Sequence, residues 1–216
     1  MIHNLSSQNS IANTYLAQLR NVHTQNNRLL FRKNMERIGN IFAYEISKYF
    51  KYTPLEVETP LGIANTAVHE ENIVLCTILR AGLPLHDGLL DYFDDANNAF
   101  VAAYRKTHKD GTFEIYLEYI TCPDLNGATL ILTDPMLATG SSIQKTLESL
   151  AEYGKYDQLH IVSIIASSYG VQQIERLYPD AHLWLIAEDE ELTAKSYIVP
   201  GLGDAGDLAF GKKLQE

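Results

Sequence analysis

The chain has 216 residues and a formal net charge of −10, with 46% hydrophobic and 20% charged residues. This composition is ordinary for a globular protein and excludes a disordered, collagen-like or coiled-coil chain. No apolar run approaches the roughly 20 residues needed to cross a bilayer, and the N-terminus lacks the pattern of a signal peptide. Cys76 and Cys122 lie far apart with no CxxC spacing, which suits a reducing compartment. We therefore expect one soluble cytoplasmic domain, 1–216.

Charge is unevenly distributed along the chain. Residues 1–51 hold seven of the 17 Lys/Arg and two of the 27 Asp/Glu, a net charge of +5, which leaves −15 for residues 52–216. So acidic a body is a poor candidate for general nucleic-acid binding, because that binding depends on neutralising phosphates. For the basic stretch we favour the polar face of a helix over a contact patch.

Hydrophobic spacing predicts an α/β fold. Apolar residues recur at helical spacing in 10–21 and 27–50, so residues 1–51 are expected to form an N-terminal helical extension. Short apolar runs, typical of buried strands, lie at 72–79, 99–104, 128–133, 159–166 and 182–187. Helical patterns separate several of them, near 84–93, 142–153 and 171–178. This alternation predicts a parallel sheet covered by helices on both faces.

Two segments interrupt the alternation. Residues 105–121 contain a Lys-Asp-Gly turn and an alternating segment, which predicts a hairpin or flap. The tail, 188–216, is rich in glycine and acidic residues, and we expect no regular structure there.

The segment 128–150, ATLILTDPMLATGSSIQKTLESL, places a buried strand, a short loop and a helix in succession. Amides at the start of a helix are unpaired and lie at the positive end of its dipole. Gly140 permits close approach to the backbone and the neighbouring Thr and Ser hydroxyls add donors, so the loop predicts a phosphate cradle. Asp134, at the carboxyl end of the strand, is placed to hold sugar hydroxyls. The alternative is a simple N-cap after a tight turn.

The string DPMLATGSS resembles the loop that binds phosphoribosyl diphosphate (PRPP) in type I phosphoribosyltransferases, and its Asp-Pro start is similar to that of the uracil phosphoribosyltransferases. The resemblance implies a phosphoribosyltransferase-like sheet with a flap hairpin and a C-terminal base-binding segment. The residues that it assigns to PRPP in this loop are Asp134, Pro135, Met136, Leu137, Ala138, Thr139, Gly140, Ser141 and Ser142. Ser141 stands where the family usually has a second glycine, and serine keeps the backbone donor provided that this position does not need a positive φ.

Two arginines follow predicted strands. Arg80 lies in TILRAG, which resembles the family's LRAG loop, and Arg105 ends the next strand and opens the flap. The planar fork of arginine suits a diphosphate leaving group, on which charge develops as its bond to ribose breaks. We therefore assign both arginines to PRPP and to catalysis.

The segment 197–211, YIVPGLGDAGDLAFG, is similar to the family's C-terminal base-binding segment. Its glycines also satisfy GxGxxG, but the ten residues after Gly206 are too few to complete a βαβ unit, so we expect no dinucleotide site. The residues that the resemblance assigns to uracil are Ile198, Gly203, Asp204 and Ala205. It also implies that Asp204 faces PRPP, and we count Asp204 as catalytic.

The resemblance implies an enzyme that transfers the phosphoribosyl group of PRPP to uracil, giving UMP and diphosphate. Mg²⁺ is the expected cofactor, held mainly by PRPP and water, because the histidines show no metal-ligand spacing. A homodimer or higher homo-oligomer is expected, without a membrane or nucleic-acid partner.

Three alternatives remain open at this point. One is a phosphoribosyltransferase for another base, which a panel of bases would detect. Another is a nucleotide-sensing regulator on the same fold that binds RNA, which the acidic body disfavours and salt-dependent RNA retention would reveal. The last is a structural or interaction protein with a decayed site, although the chain keeps Arg80, Arg105, Asp134 and Asp204.

Overall fold

The computed structural model describes residues 1–107 and 113–214, with backbone alone for residues 104–107 and 113–115. The strands are β1 (Ile2–Asn4), β2 (Tyr52–Thr59), β3 (Gly62–His69), β4 (Ile73–Leu79), β5 (Asn97–Thr107), β6 (Phe113–Thr121), β7 (Thr129–Thr133), β8 (Met136–Leu137), β9 (Gln158–Ser167), β10 (His182–Asp189), β11 (Glu191–Leu192) and β12 (Ile198–Val199). The α-helices are α1 (Ile11–Arg20), α2 (Arg28–Ser47), α3 (Leu83–Leu90), α4 (Ser141–Leu150), α5 (Ser168–Leu177) and α6 (Ala205–Phe210).

One sheet organises the fold, in the order β1-β10-β9-β7-β4-β5-β6, with β8 also paired to β9. All neighbours on this path are parallel except β5 and β6. The chain leaves β4 through α3 to reach β5 on one side, whereas β7 lies on the other side of β4. Ligands of open α/β sheets bind at such a switch in strand order, beyond the carboxyl ends of the strands.

The core lies on both faces of the sheet because successive strand side chains point to opposite faces. In β10, Trp184 and Ile186 join the cluster formed with α1, α2, α3 and α6. Leu183 and Leu185 of the same strand join the cluster formed with α4 and α5. The predicted α/β fold, a mostly parallel sheet flanked by helices, is therefore confirmed.

Two expectations were incomplete or wrong. The N-terminal extension is not purely helical, because Ile2–Asn4 pairs in parallel with β10 and forms an edge of the sheet. The tail was expected to lack regular structure, yet β10 runs to Asp189 and the tail contains β11, β12 and α6. The elements β1, β11, β12 and α6 have six residues or fewer, so hydrophobic periodicity cannot reveal them.

The hairpin of β2 and β3 was also missed. Its eight-residue strands pair from Tyr52↔His69 to Thr59↔Gly62 and are mostly exposed. Neither strand shows the buried apolar face on which strand prediction relies. The predicted flap falls on the β5–β6 hairpin, which pairs Phe100 with Thr121. The flap's tip, 108–112, lies outside the described residues.

Candidate active site

Three sequence-predicted loops lie at the same edge of the sheet. Thr77 of β4 pairs in register with Thr133 of β7, and Leu79 pairs with Ala102 of β5. Parallel strands end at a common edge, so Arg80 and Asp134 follow the adjacent strands β4 and β7 there, and Arg105 lies near the end of β5, on the other side of β4. The Thr133 hydroxyl donates to the Cys76 carbonyl oxygen at 3.2 Å and ties two of these strand ends together.

The predicted phosphate cradle has the expected backbone shape. Gly140 is the N-cap of α4 with φ of 81°, a left-handed conformation, and no side chain caps the helix. Ser141 is the first helical residue, and the positive φ values among non-glycine residues of the described chain do not include it. The hydroxyls of Thr139 and Ser141 lie 2.9 Å apart. Within the described residues, no acceptor meets the amides of Ser142 and Ile143, so both remain available to an anion.

Two serine side chains of β9 fix the loop backbone by hydrogen bonds. The Ser163 hydroxyl donates to the Asp134 carbonyl oxygen, and the Ser167 hydroxyl donates to that of Ala138. Gly170 of α5 packs against the same Ala138 carbonyl, where a Cβ would collide. The loop residues Asp134, Met136, Leu137, Ala138, Thr139, Gly140, Ser141, Ser142 and Ile143 line one concave pocket. Pro135 is buried, and the pocket lining does not include it. Its carbonyl oxygen accepts from the amides of Ile164 and Ile165, which anchors the loop to β9.

Arg80 reaches the C-terminal segment. Its guanidinium donates to Asp207 Oδ1 at 3.2 Å and to the Gly211 carbonyl oxygen at 3.3 Å. The peptide bond between Leu79 and Arg80 is cis. Gly82, which follows, leaves no room for a side chain, because a Cβ would collide with the Thr77 hydroxyl. The Arg80 side chain is 45% exposed, so it is also open to a ligand.

Arg105 lies in β5, opposite Ile115 of β6. Its side chain lies outside the described residues. The backbone places it three residues beyond Ala102, which pairs with the last residue of β4. This position is consistent with the predicted entry to the flap and leaves its role a prediction.

The C-terminal segment forms a turn followed by a short helix. The Val199–Pro200 peptide bond is cis, and Gly201 and Gly203 have φ of 56° and 98°. Asp204 is the N-cap of α6, because its Oδ1 accepts from the Asp207 amide at 2.9 Å. Its other oxygen lies 3.6 Å from Lys213 Nζ. Neither contact was predicted from the sequence.

The glycines of the GxGxxG pattern lie between two short elements. Gly201, Gly203 and Gly206 follow a two-residue strand and enter a six-residue helix. Within the described residues no further strand follows α6, so these glycines do not form the turn of a βαβ unit. Ile198 and Ala205 are buried. Their backbone groups lie on the two sides of Gly201 and Gly203, and their contacts to uracil stay a prediction.

Residues of the N-terminal helices that hold this segment were missed. Arg32 Nη1 donates to the Ala209 carbonyl oxygen at 2.7 Å, and its guanidinium lies 5.9 Å from the Phe210 ring centroid. The Arg28 guanidinium packs against Gly211. We had favoured the polar face of a helix for the basic stretch; Arg28 is exposed, as that interpretation expects, but Arg32 is only partly exposed and binds the C-terminal segment. No sequence signal exists, because the partners lie about 180 residues apart.

The described residues contain no group of three or more His, Cys, Asp or Glu side chains arranged to hold a metal ion. Within that part of the chain, the concave pocket has one lining carboxylate, that of Asp134. One carboxylate fits Mg²⁺, which keeps most of its waters and takes few protein ligands when it is bound with a phosphorylated substrate. Over the same residues, no helix has the length and apolarity to span a membrane.

Comparison with known proteins places the chain in a family. Residues 6–212 match the family model described as uracil phosphoribosyltransferase. A uracil phosphoribosyltransferase of Porphyromonas gingivalis is 49% identical over 97% of this chain and 98% of its own length. The corresponding protein of Thermococcus gammatolerans is 37% identical over 93% of this chain and 89% of its own length. The match begins at residue 6, so the family resemblance includes the N-terminal helices, although the motifs quoted from the sequence began near residue 56.

Solved structures agree with the fold. The AQ2163 protein from Aquifex aeolicus superimposes with a TM-score of 0.88 at 28% identity, over 99% of this chain and 100% of its own. An adenine phosphoribosyltransferase from Trypanosoma brucei, 11% identical, superimposes with a TM-score of 0.51 over 80% of this chain and 69% of its own, which supports the fold alone. With the phosphate-type loop, the glycine turn and the full-length match in place, the chain belongs to the uracil phosphoribosyltransferase family.

Proposed function

We propose that this protein transfers the phosphoribosyl group of PRPP to uracil, giving UMP and diphosphate. One observation carries the proposal: the anion-ready start of α4 follows β7, and Arg80, in the loop after the neighbouring β4, is bonded to Asp207 and Gly211 of the C-terminal segment. The match to an enzyme family over residues 6–212 favours this activity over an RNA-binding regulator or a decayed site.

PRPP is the ligand of the α4 loop in this proposal. The phosphate on the 5-position of ribose binds the free amides at the start of α4 and the hydroxyls of Thr139, Ser141 and Ser142. Asp134 accepts hydrogen bonds from the ribose hydroxyls, since it lines the same pocket at the carboxyl end of β7. Because Ser163 and Ser167 fix the loop carbonyls, the amides are presented without reorganisation.

The diphosphate end of PRPP is bound by arginines. Arg80 follows β4 and Arg105 lies near the end of the adjacent β5, and their guanidinium groups stabilise the charge that develops when the bond to the anomeric carbon breaks. When bound to PRPP, Mg²⁺ would supply positive charge near the diphosphate, and Asp134, which lines the same pocket, would be the carboxylate that contacts its hydration shell. The ribose passes through an oxocarbenium-like state, as in glycoside chemistry. The β5–β6 hairpin, as a flap, excludes water from this state.

Uracil is bound by the segment from Ile198 to Ala205. Uracil presents two carbonyl acceptors and two N–H donors. In a glycine-rich turn, backbone N–H groups can donate to the carbonyls and backbone C=O groups can accept from the N–H groups, with no bulky side chain between them. Gly203 and Asp204 lie between these two residues, and Asp204 faces both substrates. A pyrimidine is the expected base, and a panel of bases tests this choice.

We also propose that the chain works as a cytoplasmic homo-oligomer in which residues 1–216 form one catalytic domain. The hairpin of β2 and β3 carries exposed Leu55, Val57 and Ile63 and a fully exposed Leu61 at its tip. A lone two-stranded hairpin is marginal in water, and a second copy of the chain would cover these apolar side chains. Light scattering at several protein concentrations measures this association.

The experiment that tests the function is an assay of purified protein with uracil, PRPP and Mg²⁺. UMP and diphosphate should appear in equal amounts, and a chelator should stop the reaction until Mg²⁺ is restored. Adenine, hypoxanthine, cytosine and orotate serve as alternative acceptors. Product from one of these bases but not from uracil would reject the proposed substrate, and no product from any base would reject the activity.

A further inference from the structure

Arg20 and Asp189 form a nearly buried ion pair outside the residues assigned to either substrate. Arg20 ends α1 and Asp189 ends β10, and the two are joined by two parallel hydrogen bonds of 2.8 Å from Nη1 and Nη2. Their side chains are 22% and 7% exposed. This bidentate geometry fixes the direction of both groups.

Both members of the pair also bind one residue of the C-terminal segment. Arg20 Nη1 donates to the Gly201 carbonyl oxygen at 3.1 Å, and the Gly201 amide donates to Asp189 Oδ2 at 2.9 Å. The peptide groups on the two sides of Gly201 are therefore held at once, by opposite charges. With the oxygen and nitrogen of its side-chain amide exchanged, Gln25 donates to the next carbonyl oxygen, that of Leu202, at 2.8 Å.

Gly201 lies at the centre of the segment assigned to uracil. It comes three residues after Ile198 and three before Asp204, and with φ of 56° it packs so closely on the Ile198 carbonyl that a Cβ would collide. A shift of the Gly201 peptide groups would therefore move both flanks of the base site. Active sites lose activity when such groups are misplaced by about 1 Å, by as much as about a hundredfold.

We propose that the Arg20–Asp189 pair positions the base-binding turn, so that Arg20, a residue of the N-terminal helices, governs the use of uracil without touching it. The inference rests on the proposed function and deepens it. PRPP depends less on this pair, because the α4 loop that receives its phosphate is held separately by Ser163 and Ser167. We therefore expect the KM for uracil to change more than the KM for PRPP.

The first test is Arg20→Lys, which keeps the positive charge near Asp189 but loses the fork that reaches Gly201. We expect the KM for uracil to rise about tenfold, with the KM for PRPP changed less than about threefold. Arg37→Ala is the matched control. Arg37 lies in α2, where it donates to Asn34 and packs over the Tyr15 ring, and it should leave both KM values unchanged.

The second test separates positioning from stability. Arg20→Ala alone leaves the Asp189 carboxylate buried and unpaired, which is strongly destabilising in itself. The double variant Arg20→Met with Asp189→Leu removes both charges together, so thermal stability should recover relative to Arg20→Ala. The raised KM for uracil should persist in the double variant, because neither replacement side chain can hold the Gly201 peptide groups.

The KM values for uracil and PRPP distinguish a positioning role from a general structural defect. A uracil-selective rise in KM for Arg20→Lys, or for a folded double variant, supports the inference. A KM for uracil within twofold of wild type in Arg20→Lys overturns it, as does an equal rise for uracil and PRPP, which would indicate a general structural defect. Failure of the wild-type protein to make UMP would instead reject the proposed function. The wild-type assay is therefore completed before any variant is compared.

Discussion

Arg80 and Asp207 lie 127 positions apart in the chain, and their side chains meet at 3.2 Å. The contact connects the loop after β4 to α6, and the Gly211 carbonyl oxygen accepts from the same guanidinium. The two predicted substrate regions are thereby coupled through one side chain. Because the pair is partly exposed, its contribution to folding stability is expected to be small.

Arg80→Ala should therefore affect catalysis much more than folding. We expect kcat/KM for PRPP to fall by about a hundredfold or more, because a donor to the departing diphosphate is lost. Urea denaturation should show a loss in the free energy of unfolding of less than about 1 kcal/mol. Asp207→Asn is the matched control, since it weakens the same ion pair but leaves the arginine available to PRPP. Equal losses of activity in both variants would show that Arg80 acts through the ion pair instead.

Gly140→Ala tests the phosphate cradle. Gly140 has a left-handed φ of 81°, which costs an alanine about 1–2 kcal/mol in conformational energy. We expect the variant to relieve this strain by moving the loop amides. The KM for PRPP should rise about tenfold, measured at saturating uracil. Gly127→Ala is the control, because Gly127 also has a left-handed φ of 72° but has open space around it and lies at the opposite, amino-terminal end of β7. A similar KM in both variants would remove the α4 loop from PRPP binding.

Asp204 has a structural and a proposed chemical role, which two variants separate. Asp204→Asn keeps an oxygen to accept from the Asp207 amide, so the cap of α6 is retained, whereas Asp204→Ala loses it at a cost of about 1 kcal/mol. We expect both variants to lose activity toward uracil and PRPP, and Asp204→Ala alone to lose stability. Full activity of Asp204→Asn in the UMP assay would limit this residue to capping the helix.

A cluster of His3, His160, His182 and Trp184 predicts sensitivity to acid. Burial lowers the pKa of His160 to about 3 and that of His3 to about 4, from ordinary values of 6.5. The unfolded chain binds protons that the folded chain does not, so stability is full above pH 6.5 and falls as the pH drops toward these lower values. For the buried His160 the slope approaches about 1.4 kcal/mol per pH unit.

The variant that tests this cluster is His160→Asn, which keeps an acceptor for Trp184 Nε1 but does not titrate. The free energy of unfolding, measured by denaturant titration between pH 7.5 and 5, should fall less steeply in this variant than in wild type. Parallel curves for the variant and wild type would contradict the assignment to His160.

The sequence by itself determined the α/β class, the sheet's buried strands and the loop that begins α4. Long apolar runs such as 159–166 are buried on both faces, so they appear in the sequence without ambiguity. The sequence predicted close approach at Gly140 but left the φ of Ser141 open, and the structure shows Gly140 left-handed and Ser141 helical.

Only the tertiary structure decided how the C-terminal segment is held. Arg20, Asp189 and Gly201 come from three elements far apart in the chain, and their spacing in sequence carries no period that indicates contact. The exposed β2–β3 hairpin escaped prediction for a related reason, since its strands bury no face within the chain. Local patterns record burial and backbone conformation, whereas long-range ion pairs depend on how the sheet brings distant chain segments to one edge.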